Sequence, residues 1–241
     1  MDTQPLWSLS KFEATRRKLA TSPALQRQTA LSTSLQAELG VLERRRDSSD
    51  VLEVIGACLR LREPALIHLQ YDDEVWPVTV FPHEALYHSP RPLLQADRRE
   101  LARLRVLDLE PPGVRAPGHW MHERVAGAAL YHPLRPMLWR LALDGPRGEP
   151  LHEVTGSTAY RVVGHPAKQD LPTPGALGPA IERLRKESTP LREVARWPGM
   201  SYERASRLVN ALYLTSNLIV SRAHPGARPN VLKALLGRFV R

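Results

Sequence analysis

Cysteine is almost absent from this chain of 241 residues, which has only Cys58. One thiol cannot form an internal disulfide, so a reducing compartment is expected. Lysine is scarce as well, with five residues against 29 arginines, which is typical of proteins from GC-rich bacterial genomes. No stretch approaches the roughly 20 apolar residues of a membrane-spanning helix, and the N-terminus has no secretory leader. These absences predict a bacterial, cytoplasmic protein that does not enter a membrane.

The motifs of common catalytic sites are missing too. No glycine-rich phosphate loop, G-x-S-x-G elbow or H-E-x-x-H pair occurs. His119, His122 and His132 have no accompanying cysteine pair, and their spacing matches no zinc motif. The acidic run at residues 72–74 is typical of a turn between strands rather than of a metal site. We therefore expect no enzyme, no metal site and no cofactor.

Positive charge is present in excess but is unevenly distributed. The formal net charge is +9. Residues 180–241 contain twelve basic and four acidic side chains, a net of +8, whereas residues 1–179 carry +1. A domain-sized excess of one sign is typical of a surface that binds a polyanion. A surface that serves only solubility has the same composition, so charge alone leaves both interpretations open.

The spacing of apolar residues predicts an N-terminal helical segment, residues 1–48, ahead of an α/β domain over residues 49–165. Leucines recur mostly every three or four positions through residues 23–46, which predicts a helix. Its narrow apolar stripe fits either docking on its own domain or a homodimer seam. A second helix is expected over residues 51–61, with a polar N-cap just before it.

Strands are predicted in the second segment. Residues 65–71 and 75–81 alternate in the manner of a hairpin around the acidic turn. Pro77 lacks the N–H that a central strand donates, which favours a place for this hairpin at the border of its sheet.

The remaining signals complete an α/β domain with a small mixed sheet. Further strands are expected near residues 105–109 and 158–163, and a helix over residues 133–144. Prolines and glycines then cluster over residues 166–175, which predicts a linker between two domains. The C-terminal domain is expected to occupy residues 176–241.

Three helices and a strand are predicted after this linker. The helices are expected at residues 176–187, 191–196 and 201–215, and the strand at residues 218–222. Residues 223–229 then have the composition of a basic turn.

The segment LREVARWPGMSYERASRLVNALYL, residues 191–214, resembles the winged helix-turn-helix superfamily. It is also loosely similar to the PatA-type winged-helix module of bacterial signalling proteins, where the module often serves protein contacts. The likeness covers the C-terminal segment alone. It implies a basic wing after the third helix, and either duplex DNA or a partner protein as the ligand.

Under the first implication the chain is a non-catalytic regulator of transcription that binds DNA. A helical wheel places Arg207 and Asn210 on an exposed face of the third helix, and these residue types pair with guanine and adenine edges. Tyr202 and Arg204 would reach phosphates. The strand and its wing would add three contacts to phosphates or to the minor groove, from Arg222, His224 and Arg228.

Under the second implication the chain is a signalling adaptor. The wheel places Ala211 and Leu214 on the same face of the third helix, and exposed apolar side chains between arginines suit a protein partner. Glu203 on that face would repel phosphates. The sequence leaves both functions open.

Overall fold

The computed structural model describes residues 6–20, 31–156 and 158–222. The chain divides into two compact units, unit 1 (Met1–Arg147) and unit 2 (Gly148–Arg241). The architecture is mixed α and β, with eight α-helices and eight strands in the described residues. None of those helices combines the length and the hydropathy needed to cross a membrane.

Unit 1 contains five of the helices. They are α1 (Leu9–Ala20), α2 (Thr33–Arg45), α3 (Val51–Leu61), α4 (Arg98–Ala102) and α5 (Leu134–Asp144). Helices α2, α3 and α4 each begin after a side chain that accepts hydrogen bonds from the free backbone N–H groups of the first turn, namely Ser32, Asp50 and Asp97. The helix predicted over residues 51–61 is confirmed.

The leucine stripe of the first predicted helix packs within its own unit. Residues 33–45 of the predicted range 23–46 are helical, and residues 21–30 lie outside the described part of the chain. Leu35 and Leu42 are both buried. The described half of the stripe therefore supports docking on unit 1 rather than a dimer seam.

The sheet of unit 1 has six strands. They are β1 (Trp7–Ser8), β2 (Ala65–Tyr71), β3 (Glu74–Phe81), β4 (Leu86–His88), β5 (Arg105–Glu110) and β6 (Tyr131–Pro133). Their order is β5-β2-β3-β4-β6, with β1 paired to β3, and every ladder is antiparallel. The expected mixed sheet was wrong. A parallel pair needs a long crossover connection, whereas β2, β3 and β4 follow one another through tight turns.

The β2–β3 hairpin lies in the middle of the sheet, so the prediction of a border position was also wrong. Pro77 is nevertheless tolerated for a local reason. Strand β1 pairs with residues 74–75 and β4 pairs with residues 79–81, so Pro77 falls in the gap between the two partners of β3. The Ser89 hydroxyl donates a hydrogen bond of 3.1 Å to the Pro77 carbonyl. A proline in a central strand is thus placed where the ladder is already interrupted.

An arginine at the end of unit 1 is bound to the start of its most buried helix. Residues 51–58 of α3 are all buried, and they include Glu53, whose exposure is 1%. Arg147 contacts Asp50 at 2.7 Å and Glu53 at 2.8 Å. Asp50 also accepts hydrogen bonds from the backbone N–H groups of Leu52 and Glu53. One guanidinium therefore compensates two carboxylates, one of which has no access to water.

The described residues of unit 2 form three helices and two strands. The helices are α6 (Leu177–Lys186), α7 (Leu191–Val194) and α8 (Tyr202–Leu214), and the strands are β7 (Thr158–Val162) and β8 (Leu218–Arg222). Strand β7 pairs with β8 along its whole length, and Tyr160 forms a bridge with Thr189 between α6 and α7. The expected linker therefore lies inside unit 2, and the division falls at Gly148. The boundary lies earlier than expected because β7, which precedes the expected linker, pairs with β8, which follows it.

The turn between α7 and α8 depends on Gly199. Its φ of +74° is in the left-handed region, and a Cβ there would lie 2.8 Å from the Cβ of Ala176. The backbone N–H of Met200 donates to the carbonyl of Trp197 at 3.0 Å. A tight turn therefore joins the two helices, and glycine is required in it both for conformation and for space.

The partner of β8 differs from the expected wing. A hairpin through residues 223–229 was expected, but β8 pairs with β7, which precedes α6 in the chain. Residues 223–229, with the predicted site residues His224 and Arg228, lie outside the described part of the chain. The helix-turn-helix order is present, whereas the wing stays a prediction.

We predict that Arg147→Ala lowers the free energy of unfolding by about 3–5 kcal/mol, because the buried carboxylate of Glu53 loses the guanidinium of Arg147. A double variant, Glu53→Leu with Arg147→Met, should recover most of this loss because it buries no charge. Guanidinium denaturation followed by circular dichroism measures both. Arg98→Ala is the control, since Arg98 is largely exposed in its ion pair with Asp144. A loss for Arg147→Ala no larger than that of the control would contradict the assignment.

Candidate functional site

Helix α8 exposes only its beginning. The Ser201 hydroxyl caps it by accepting from the Arg204 backbone N–H at 3.1 Å. The four residues from Ser201 to Arg204 are exposed, whereas from Ala205 onward the helix is buried except at Arg207 and Tyr213, which are partly buried. Only the first turn of α8 is therefore available to a large ligand.

Asn210, predicted to contact a base, is fully buried, and this prediction was wrong. Its exposure is 0%. The side-chain amide donates to the carbonyl of Glu149 at 2.9 Å and accepts from the backbone N–H of Leu151 at 2.9 Å. The segment before β7 covers the helix face that the wheel placed in solvent. Asn210 thus holds two parts of unit 2 together.

The apolar docking surface of the adaptor hypothesis is not at the surface either. Ala211 is completely buried and Leu214 is 7% exposed. Both belong to the core of unit 2, so neither is available to a partner protein. The expected exposure was wrong, because the spacing of residues along one helix does not report which other parts of the unit pack against it.

The other predicted residues of α8 remain accessible to different degrees. The Arg207 guanidinium is mostly buried and donates to Glu203 at 2.9 Å, one helical turn earlier. Arg204 is exposed, and its guanidinium donates to the carbonyl of Gly199 at 2.8 Å. Tyr202 is 49% exposed. Partial burial and the charge of Glu149 raise the pKa of Tyr202, so its hydroxyl remains a hydrogen-bond donor.

Two arginines that the sequence reasoning did not single out belong to the same region. Arg192 lies in α7 and Arg196 follows it by one turn, and both are exposed. Arg192 and Tyr202 line one cavity of about 190 Å³, together with Thr158. Thr158 is also the strand partner of Arg222, which is exposed. The ladder therefore brings Arg222 to the end of unit 2 that carries Tyr202.

Six arginines in the described part of unit 2 fall into two groups. Arg183, Arg185 and Arg207 each contact a glutamate three or four residues away, namely Glu187, Glu182 and Glu203. For Arg196, Arg204 and Arg222, no carboxylate partner is found among the described residues. The ion pairs of the first group are predictable from the sequence, because each glutamate lies three or four residues from its arginine on one helix. The second group, which we call the open arginines, keeps its charge uncompensated.

Unit 1 carries a polar cluster on the outer face of its sheet. Strand register places His68 of β2 opposite Asp108 of β5. Arg16 of α1 contacts both Asp108 and Glu110, the latter at 2.6 Å. Helix α1 therefore covers this face with a cation over two carboxylates.

His68 lies beside this cluster without a hydrogen bond. Neither ring nitrogen has a partner among the described residues, and Nε2 is 3.9 Å from Glu110, too far for a hydrogen bond. The Phe12 ring lies against the imidazole, with 4.7 Å between centroids. Burial lowers the pKa of His68, the charge of Glu110 opposes this, and that of Arg16 adds to it. The imidazole is therefore neutral at neutral pH. In the sequence, only the alternation of residues along β2 indicated which face of the sheet His68 occupies.

No group of three or more His, Cys, Asp or Glu side chains with the spacing of a metal site is found in the described residues. Cys58 is buried in α3, and burial raises the pKa of its thiol to about 12. It is therefore a structural residue.

We predict that Asn210→Ala lowers the local stability of unit 2 by about 2 kcal/mol, because the buried N–H of Leu151 loses its acceptor. Hydrogen exchange of the α8 amides measures this change. Arg196→Ala, at an exposed position near the same helix, should change it by less than about 0.5 kcal/mol. Equal protection in the wild type and Asn210→Ala would show that the two hydrogen bonds are unimportant.

We also predict a loss of stability in mild acid. The folded pKa of His68 is below the unfolded value, so the unfolded chain takes up a proton first as the pH falls. The contribution of His68 is complete above about pH 6.5 and decreases as the pH falls towards the folded pKa, by at most about 1.4 kcal/mol per pH unit. His68→Gln should flatten the dependence below about pH 6.5, and exposed His83→Gln is the control. Identical slopes in all three proteins would contradict this prediction.

Comparison with known proteins found no relative of this chain. No protein-family model, no curated protein and no solved structure matches the chain. Function is therefore inferred from the residues and their surroundings alone.

Proposed function

We propose that unit 2 binds duplex DNA through its helix-turn-helix and that the chain is a non-catalytic regulatory protein. The observation that carries the proposal is the set of open arginines, Arg196, Arg204 and Arg222, at the turn, at the start of α8 and at the end of β8. When arginines without carboxylate partners bind phosphates, the cations condensed on the DNA are released. This release is the main source of affinity in such complexes.

The binding mode differs from the one that the sequence suggests. With Asn210 buried and Arg207 bound to Glu203, few side chains of α8 are left to contact base edges. Phosphate contacts fix position but carry little sequence information. We therefore infer binding with a steep salt dependence and weak preference among sequences. Tyr202, which keeps its proton, donates a further hydrogen bond to a phosphate.

The adaptor hypothesis has lost the residues on which it was built. Ala211 and Leu214 contribute to the core of unit 2. The charge of unit 2 favours a polyanion instead, since residues 148–241 contain 14 basic and seven acidic side chains.

We predict that replacing Arg196, Arg204 and Arg222 by alanine weakens DNA binding and its dependence on salt. Fluorescence anisotropy with a labelled duplex of about 20 base pairs, at several salt concentrations, gives the slope of log affinity against log salt. Each phosphate contact contributes about 0.9 to this slope, so the triple variant should lose roughly 2–3.

The matched control removes the same charge from unit 1, by replacing the exposed Arg45, Arg99 and Arg124 with alanine. Its slope should stay close to that of the wild type. Absence of binding at low salt, or equal slopes for the two triple variants, would contradict the proposal. A strong preference for one duplex over a scrambled one would contradict the phosphate-dominated mode.

A further inference from the structure

A second cavity of about 190 Å³ lies on the outer face of the sheet of unit 1. Its walls come from β1, β2, β3, β4 and the loop after β5. Most of the lining side chains are apolar, namely Trp7, Leu66, Val75, Pro77 and Val114, and the polar ones are His68, Thr79 and His88. Cavities of roughly 150 Å³ with apolar walls take up a single benzene ring in proteins. This cavity therefore has the volume of one ring with a small substituent.

The buried imidazole of His68 faces this volume. His68 lines the cavity, is 5% exposed, and forms no hydrogen bond to any described residue at either ring nitrogen. A neutral imidazole has one donor and one acceptor nitrogen. Buried polar groups almost always have a partner, and the contact with Phe12 holds the ring in place without supplying one. A ligand with a hydroxyl group would satisfy His68.

The surroundings select an uncharged ligand. None of the described residues that line the cavity is Lys, Arg, Asp or Glu. The carboxylates of Asp108 and Glu110, on the same face of the sheet, are already bound to Arg16. Burial, together with the charge of His132, lowers the pKa of His88, the other imidazole of the cavity. A charged ligand would lose its hydration without meeting a counter-ion.

We propose that this cavity binds a small uncharged ring compound with a single hydroxyl group, of the size of phenol, whose hydroxyl hydrogen-bonds to His68. Trp7 and Pro77 offer flat faces to the ring. Trp7 is 43% exposed and forms the rim through which the ligand enters. The site lies entirely in unit 1, so it does not depend on DNA binding by unit 2.

Two matched ligands test the polar contact in the unmodified chain. Phenol and toluene have nearly the same shape, and only phenol carries a hydroxyl group. NMR titration of the full-length protein should give saturable shifts at Leu66, Val75 and Val114, with phenol about tenfold tighter than toluene. No saturable shifts with either ligand would overturn the site. Equal affinities would overturn the role of His68.

Two variants test the location. His68→Phe keeps a ring against Phe12 but removes the hydrogen bond, so phenol should bind no better than toluene. Val114→Trp, in a half-buried loop position, should fill the cavity and abolish binding of both ligands. Val163→Trp in unit 2 is the control and should bind as the wild type does. A phenol preference that survives in His68→Phe, or unchanged binding in Val114→Trp, would overturn the proposal.

Discussion

The contact of Arg147 with Asp50 and Glu53 is the interaction on which unit 1 depends. Asp50 uses one oxygen to cap α3 and the other to bind Arg147, so the start of the helix and the end of the unit are held by one carboxylate. Glu53 is buried and needs the same guanidinium. A buried ion pair adds little stability over an apolar pair, but it permits only one arrangement of its partners. It therefore fixes where the last helix of unit 1 ends relative to α3.

With α3 fixed, the sheet has two faces of different character. One face is apolar and fully buried, and its side chains, which include Ile67, Leu69 and Val78, form the core. The opposite face alternates with it and carries His68, Gln70 and the carboxylates of β5. Such a face is stable only where each polar group has a partner. Arg16 provides this for the carboxylates, and Arg105 donates to Gln70. His68 is the exception, and an unsatisfied buried group usually has a functional reason.

Much of the fold follows from local sequence signals, because caps, periodicity and turns act within a few residues. The bounds of α3, the β2–β3 hairpin and the Ser201 cap of α8 were all predictable in this way. Contacts between distant segments were not. Periodicity indicates that Asn210 lies away from the main apolar stripe of α8, but it cannot indicate that residues 149–151 bind its side chain. The pairing of β7 with β8 was not predicted either, because the two strands are far apart in the sequence.

This failure also bears on what unit 2 recognises. The helical wheel predicted that α8 exposes a face able to contact DNA bases. In the structure this face is buried, so neither DNA bases nor a partner protein can contact it. Charge is less sensitive to such errors, because the arginines flank the turn and the strand end, where nothing in the described chain covers them. A field of open arginines attracts phosphates whatever the base sequence. Specific regulation would then come from elsewhere, and the cavity that we propose as a site for a hydroxyl-bearing ring is a part of the described chain whose chemistry would select its ligand.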